Sequence, residues 1–395
     1  MKERYVVLRN LAPKARDDRG DVHRGEPGAT GDVQLAVEGV AIDARDADAL
    51  RHDDAVTAVA RAMPMRLIEP RNASARTAAE AGDIAWGVRA VAADACPYDG
   101  RGVKVAVLDT GIEASHPAFA GVRMTIKDFT GTGDGDSDPE GHGTHCAATI
   151  FGRAVDGVRI GIAPGIGHAL IGKVLAGTRG CTSEEITTAI QWAADNDASI
   201  ISMSLGIDFP GFVRALVEQD KMPIDLATSL ALESYRDNVR LFESLAALIR
   251  AKSRRPLLVS AAGNESRRDI DATYEIAVSP PAVAEGIVSV AAVGPGPNGW
   301  RIADFSNTGA TVCAPGVDIV SAAAKGGLAS MSGTSMAAPH VVGVAALWAQ
   351  KLLKDGMPVD GAILSAKISG RATLEGLAAG FKPRAVGQGL VQAPR

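Results

Sequence analysis

Four short runs of this chain are apolar at successive positions rather than at alternate ones. They are Val103-Lys104-Val105-Ala106-Val107-Leu108, Ala198-Ser199-Ile200-Ile201-Ser202-Met203, Leu257-Leu258-Val259-Ser260 and Ile287-Val288-Ser289-Val290-Ala291. A strand with one wet face alternates polar and apolar residues, whereas one without alternation must be covered on both sides. Helix-compatible segments separate the runs. The pattern predicts a largely parallel central sheet with helices on both faces, a three-layer α/β fold. In such sheets the chemistry gathers beyond the carboxyl ends of the strands.

The first 70 residues have a different texture. Tyr5-Val6-Val7-Leu8 reads as a strand, Val33 to Val37 alternates at strand period, and Asp43 to His52 reads as a helix with Asp43 or Asp46 as cap. Val56 to Ala60 and Met65 to Ile68 read as further strands, which makes residues 1–70 a small α+β unit. Residues 71–83 are small and polar, the composition of a linker open to proteolysis. A main domain is expected over 84–395.

Bulk properties narrow the function. A net charge of −5 lacks the basic surface that nucleic acid requires, and the Arg-rich stretches at 16–24 and 250–255 are short. No apolar stretch reaches the roughly 18–20 residues of a membrane span. The segment after Met1 has no secretory core, so a cytoplasmic enzyme is expected. Cys96, Cys146, Cys181 and Cys313 are scattered and read as free thiols.

Four polar clusters carry chemistry. Asp109 ends an apolar run in Val107-Leu108-Asp109-Thr110-Gly111; on its own such a residue could equally cap the next turn. His142 stands between glycines in Gly141-His142-Gly143-Thr144-His145, at the start of an apolar helix. His142 and His145 could face a metal together, but no third ligand at a convincing spacing accompanies them. Ser335 lies in Ser332-Gly333-Thr334-Ser335-Met336-Ala337-Ala338-Pro339-His340, at a loop-to-helix junction where it is either an N-cap or a nucleophile facing exposed N–H groups. Asn264, in Ala261-Ala262-Gly263-Asn264-Glu265, is a turn residue or a donor to an oxyanion.

Together, in the order Asp, His, Ser, these motifs resemble the subtilisin superfamily over residues 84–395. The resemblance extends to Gly387-Gln388-Gly389-Leu390-Val391, which is similar to the family's last strand region. It implies a serine endopeptidase in which Asp109, His142 and Ser335 form the triad and Asn264 serves the oxyanion hole. It implies a substrate-binding edge at Ser204-Leu205-Gly206, which with Ala261, Ala262 and Gly263 would wall an apolar specificity pocket for an extended polypeptide. Residues 1–70 resemble the family's inhibitory propeptide, clearest at 47–59, so the chain's own N-terminal segment is an expected intramolecular partner.

Two features go beyond the simple pattern. Residues 207–256 form a longer connection than a subtilisin needs, and Pro223 to Arg250 has the apolar spacing of an amphipathic helix flanking the cleft or packed on the body. Asp128, Asp134, Asp136 and Asp138 read either as a solvated acidic loop or as a cluster for a hard cation, with calcium the expected ion. No cofactor is expected for catalysis. The alternatives to a self-processed endopeptidase are a selective processing protease for one partner, an inert binding relative, and an esterase using the same acyl transfer.

Overall fold

The structure is a computed structural model that describes residues 2–11, 34–76, 83–133, 137–252 and 255–395. The N-terminal unit is a three-stranded antiparallel sheet. Strand β1 (Glu3–Asn10) lies between β2 (Leu35–Ile42) and β3 (Val56–Arg61), with Val6 opposite Gly39 on one side and Ala60 on the other. Helix α1 (Ala44–Arg51) starts where Asp43 accepts the Arg45 and Asp46 N–H groups, both at 3.0 Å. The run Tyr5–Leu8 is apolar throughout because both faces are covered. Tyr5 and Val7 pack with Ala47 of α1, while Val6 and Leu8 turn toward the main body.

The chain then passes over the main domain in two short strands, β4 (Pro64–Leu67) and β5 (Asn72–Arg76). The second corrects the expected linker. Its small polar residues are in a strand whose pairing partner, residues 328–332, lies far along the chain. The rest of that stretch, 77–82, lies outside the described residues.

The main domain continues with β6 (Lys104–Asp109), β7 (Arg123–Asp128), α2 (His142–Phe151), β8 (His168–Lys173) and β9 (Cys181–Thr182). Next come α3 (Ser183–Asp195), β10 (Ile200–Met203), β11 (Leu205–Ile207), α4 (Phe209–Glu218) and α5 (Ile224–Arg250). After β12 (Leu257–Ala261), β13 (Ile287–Gly296), β14 (Gly299–Ile302), β15 (Val312–Pro315), β16 (Ile319–Ala322) and β17 (Leu328–Ser332) comes α6 (Thr334–Lys354).

The central sheet runs β14-β13-β12-β10-β6-β8-β7, with β15 also on β13, and every pairing except β13–β14 is parallel. Alternate side chains of one strand enter opposite layers. Val105 and Val107 join the layer containing α2 and α6, while Ala106 and Leu108 join the layer of α3 and α5. The expected three-layer α/β architecture is present, and unbroken apolar runs are its signature. The region of Gly387–Val391 contributes only single bridges, Leu390 with Cys313 and with Thr373.

The long connection holds two helices rather than one. Helix α5 matches the predicted span, and α4 precedes it around a small core of Leu216, Ala227 and Ala231. Helix α5 also carries the N-terminal unit. Asn238 Nδ2 donates to the Arg61 carbonyl at 2.8 Å, and the Arg51 guanidinium meets Asp237 at 2.8 Å. On α3, Gln191 bonds the β2 backbone in both senses, donating to Leu35 O at 2.8 Å and accepting from Val37 N at 3.1 Å. No helix among the described residues is long and apolar enough to cross a membrane.

Candidate active site

Asp109 is the last residue of β6 and is buried, as the end of an apolar parallel strand dictates. Its Oδ1 accepts the Thr110 N–H at 2.7 Å and the His142 Nδ1–H at 2.7 Å. The imidazole can approach because glycines surround it. Gly141 caps α2 with φ of 75°, and a Cβ on Gly143 would lie 2.2 Å from the Gly111 carbonyl oxygen. Burial alone would lower the His142 pKa, but the Asp109 carboxylate outweighs it and holds it well above 6.5.

Ser335 is in the first turn of α6, beyond the cap residue Gly333, so it is not the N-cap. Asn264 follows β12 and is anchored by its Oδ1, which accepts the Thr334 N–H and hydroxyl, each at 2.9 Å. Its Nδ2 therefore faces the cleft. Asn307, which sequence reasoning missed, supports this loop. Its Oδ1 accepts the Glu265 and Ser266 N–H groups, both at 3.1 Å, and a Cβ on Gly263 would collide with its Nδ2 at 2.3 Å.

The cleft holds the chain's own segment 64–76. Strand β4 inserts between β11 and β9, with Leu67 opposite Leu205, Arg66 opposite Gly206 and Met65 opposite Ile207. Ile68 N–H donates to Ser204 O at 3.2 Å, and a Cβ added to Gly206 would meet Ser279 Oγ at 3.3 Å and Ile68 Cδ1 at 4.0 Å. Ala261, Ala262 and Gly263 lead from β12 into the Asn264 loop, the first two buried. Ser335 Oγ–H donates to the Ile68 carbonyl at 2.9 Å, and Asn264 Nδ2 donates to the next carbonyl, Glu69 O, at 2.8 Å. Beyond, Arg71 N–H bonds Ser332 O at 2.8 Å and β5 pairs with β17. His142 Nε2 is buried and has no hydrogen-bond partner among the described residues.

Comparison with known proteins places the chain in a family. The model of the subtilase family matches residues 100–371, more than half of the chain. The chain belongs to the subtilase family. The major intracellular serine protease of Bacillus subtilis (strain 168) is 35% identical over 255 residues, 63% of this chain and 68% of that protein. The intracellular serine protease of Paenibacillus polymyxa is 36% identical over 255 residues, 63% of this chain and 67% of that protein. Subtilisin DY of Bacillus licheniformis is 32% identical over 271 residues, 67% of this chain and 84% of that protein. This subtilase is a serine endopeptidase.

Of the four carboxylates in the acidic loop of this subtilase, the two among the described residues have their acceptor positions filled from within the protein. A carboxylate offers about four acceptor positions. Asp138 fills them with Thr110 Oγ1 at 2.6 Å, Gly141 N at 3.0 Å, Thr144 N at 2.7 Å and Thr144 Oγ1 at 2.6 Å. Asp128 fills its own with Thr130 N and Oγ1, Thr132 Oγ1 and Gly133 N. Asp134 and Asp136 lie outside the described residues. Asp138 is a buried clamp at the N-terminus of α2, and Thr110 Oγ1 links it onward to Gly143 N–H at 2.9 Å. An acid shortly before a helix start was the available signal.

His145 is in no group of His, Cys, Asp and Glu among the described residues close enough together to share a metal ion. Its Nε2–H reaches the Ile319 and Ala329 carbonyls at 2.9 and 3.3 Å, and burial lowers its pKa to about 3. Cys146 is buried one helical turn after His142, its Sγ 3.3 Å from Ser335 O, and burial raises its pKa. All four cysteines are free.

Proposed function

We propose that this endopeptidase works through an Asp109–His142–Ser335 triad and is made as a self-processed proenzyme. The observation that carries the reading is the single short stretch of chain on which Ser335 Oγ and Asn264 Nδ2 converge, beside an imidazole fixed to Asp109 at 2.7 Å. Ser335 Oγ attacks the peptide carbonyl carbon while His142 Nε2 takes its proton. The C–N bond breaks as that proton passes to the leaving amine, and water then releases the acyl group. Asp109 fixes the tautomer with Nε2 free to act as base. Asn264 Nδ2 and the Ser335 N–H receive the developing oxyanion.

Residues 1–76 act as the intramolecular inhibitor, with Ile68 before the first bond cut. In the uncut chain the hydroxyl donates to the Ile68 carbonyl rather than to His142, and the amide of Asn264 holds the carbonyl one residue further on. Cleavage requires the Ile68 carbonyl to move onto Asn264 and the hydroxyl to turn to Nε2. Until then the segment fills the cleft without being consumed.

The test is a fluorophosphonate probe on the purified protein, with the labelled residue mapped by mass spectrometry. Label on Ser335 in the wild type, and none in His142→Ala, is the expected result. Label elsewhere, or equal labelling of His142→Ala, would remove the triad assignment.

A further inference from the structure

The same segment carries information about what this enzyme selects, if the reading of 64–69 as a substrate-like strand holds. Arg66 lies two residues before Ile68, opposite Gly206 in the β4–β11 register. Its side chain leaves the sheet and meets Asp208, Nε to Oδ2 at 2.7 Å. Asp208 immediately follows β11 and is the N-cap of α4, where its Oδ1 accepts the Gly211 N–H at 3.0 Å. The cap fixes the carboxylate, and its side chain is only 19% exposed against 65% for Arg66. Apart from that contact, Oδ2 has no partner among the described residues, so Arg66 is its charge partner. Once the segment leaves, that oxygen faces the vacated strand position.

We infer that Asp208 is a specificity-determining residue, selecting polypeptides with Arg or Lys at the third residue before the cleaved bond. The backbone pairing accepts any extended chain and carries no such information. A preorganised, half-desolvated carboxylate at one register position adds a charge preference. Fixing the acid through a helix cap spares the entropy of ordering it on binding. The long connection after β11 therefore contributes to selectivity at its first residue, where it joins the cleft.

The experiment uses the full chain after self-processing, with active sites counted by the fluorophosphonate probe. Three p-nitroanilides of sequence Met-X-Leu-Ile, with X as Arg, Ala or Glu, are compared by kcat/KM. A partly exposed ion pair predicts Arg over Ala by about fivefold, and Ala over Glu in the same direction. In Asp208→Asn, which can still cap α4, the Arg-to-Glu ratio falls toward one; in Asp208→Lys it inverts. A ratio near one in the wild type, or a ratio that survives Asp208→Asn, overturns the inference. Probe-labelled enzyme that cleaves none of the three peptides overturns the substrate-like reading of 64–69, and the inference falls with it. As an independent check, Arg66→Glu slows self-cleavage, and adding Asp208→Lys restores it. Failure of that rescue also counts against the ion pair.

Discussion

Replacing the buried Asp138 by Ala should cost stability far beyond the range of a surface substitution. The carboxylate is 5% exposed and accepts four hydrogen bonds that join the Thr110 turn to the first turn of the His142 helix. Bonds to a charged acceptor are worth about 1.5–3 kcal/mol each, and they do not add. The Gly141 and Thr144 N–H groups are left without that acceptor in a buried site. A loss of about 3–5 kcal/mol follows, as for breaking a buried charged pair. Asp138→Asn keeps one acceptor oxygen and should fall between.

Urea unfolding of the uncut chain in a Ser335→Ala background, where autolysis cannot interfere, measures this. A change under about 1 kcal/mol would refute the clamp, since surface substitutions usually stay within that range. Parent protein weakened by EDTA as much as by the substitution would also refute it, because Asp138 would then be serving a cation.

Three further outcomes follow. Asn264→Ala should lower kcat by about 10²–10³ with little change in KM, the range known for such a donor in a subtilisin. Gly143→Ala places a Cβ 2.2 Å from the Gly111 carbonyl oxygen. The helix must shift away from Asp109, and a displacement near 1 Å costs on the order of 10²-fold in kcat. Retained kcat with an unmoved Tm would show that the contact relaxes freely. For pH, catalysis needs neutral His142, whose pKa is raised because Asp109 outweighs burial. The kcat/KM profile should therefore rise through a midpoint above 6.5 and drop in height in Asp109→Asn; a midpoint below 6.5 would contradict the pairing. In the uncut chain the same raised pKa gives stability that is full below about 6.5 and lost as pH rises through the folded value.

What could be read from the chain divides along local and tertiary lines. The strand runs that build the sheet, the Asp43 cap and the α5 span were legible because each is set by short-range periodicity or capping. Asp109, His142, Asn264 and Ser335 were each ambiguous alone, as cap or turn residues, and were singled out by motifs whose order resembles the subtilisin superfamily. Asp138's place at the start of α2 was not legible, because an acid that clamps a helix start and an acid on a solvated loop look alike until its donors are known. Residues 72–76 looked like a linker because their small polar side chains give no strand signal, and β17 supplies the pairing. Helix α4 was not anticipated, as its apolar face is completed only by α5. The contact between Ser335 and Ile68 spans 267 positions and has no local signature at all.

The central claim is that segment 64–76 lies in the chain's own cleft as substrate, and intact-mass measurement tests it most directly. Wild type and Ser335→Ala are purified identically and weighed through an incubation. The account predicts that the wild type loses its N-terminal unit, with the earliest new terminus at Glu69, while Ser335→Ala keeps its full mass. Loss of the same fragment from Ser335→Ala, or a wild type that hydrolyses peptides while residues 1–76 stay attached, would contradict it.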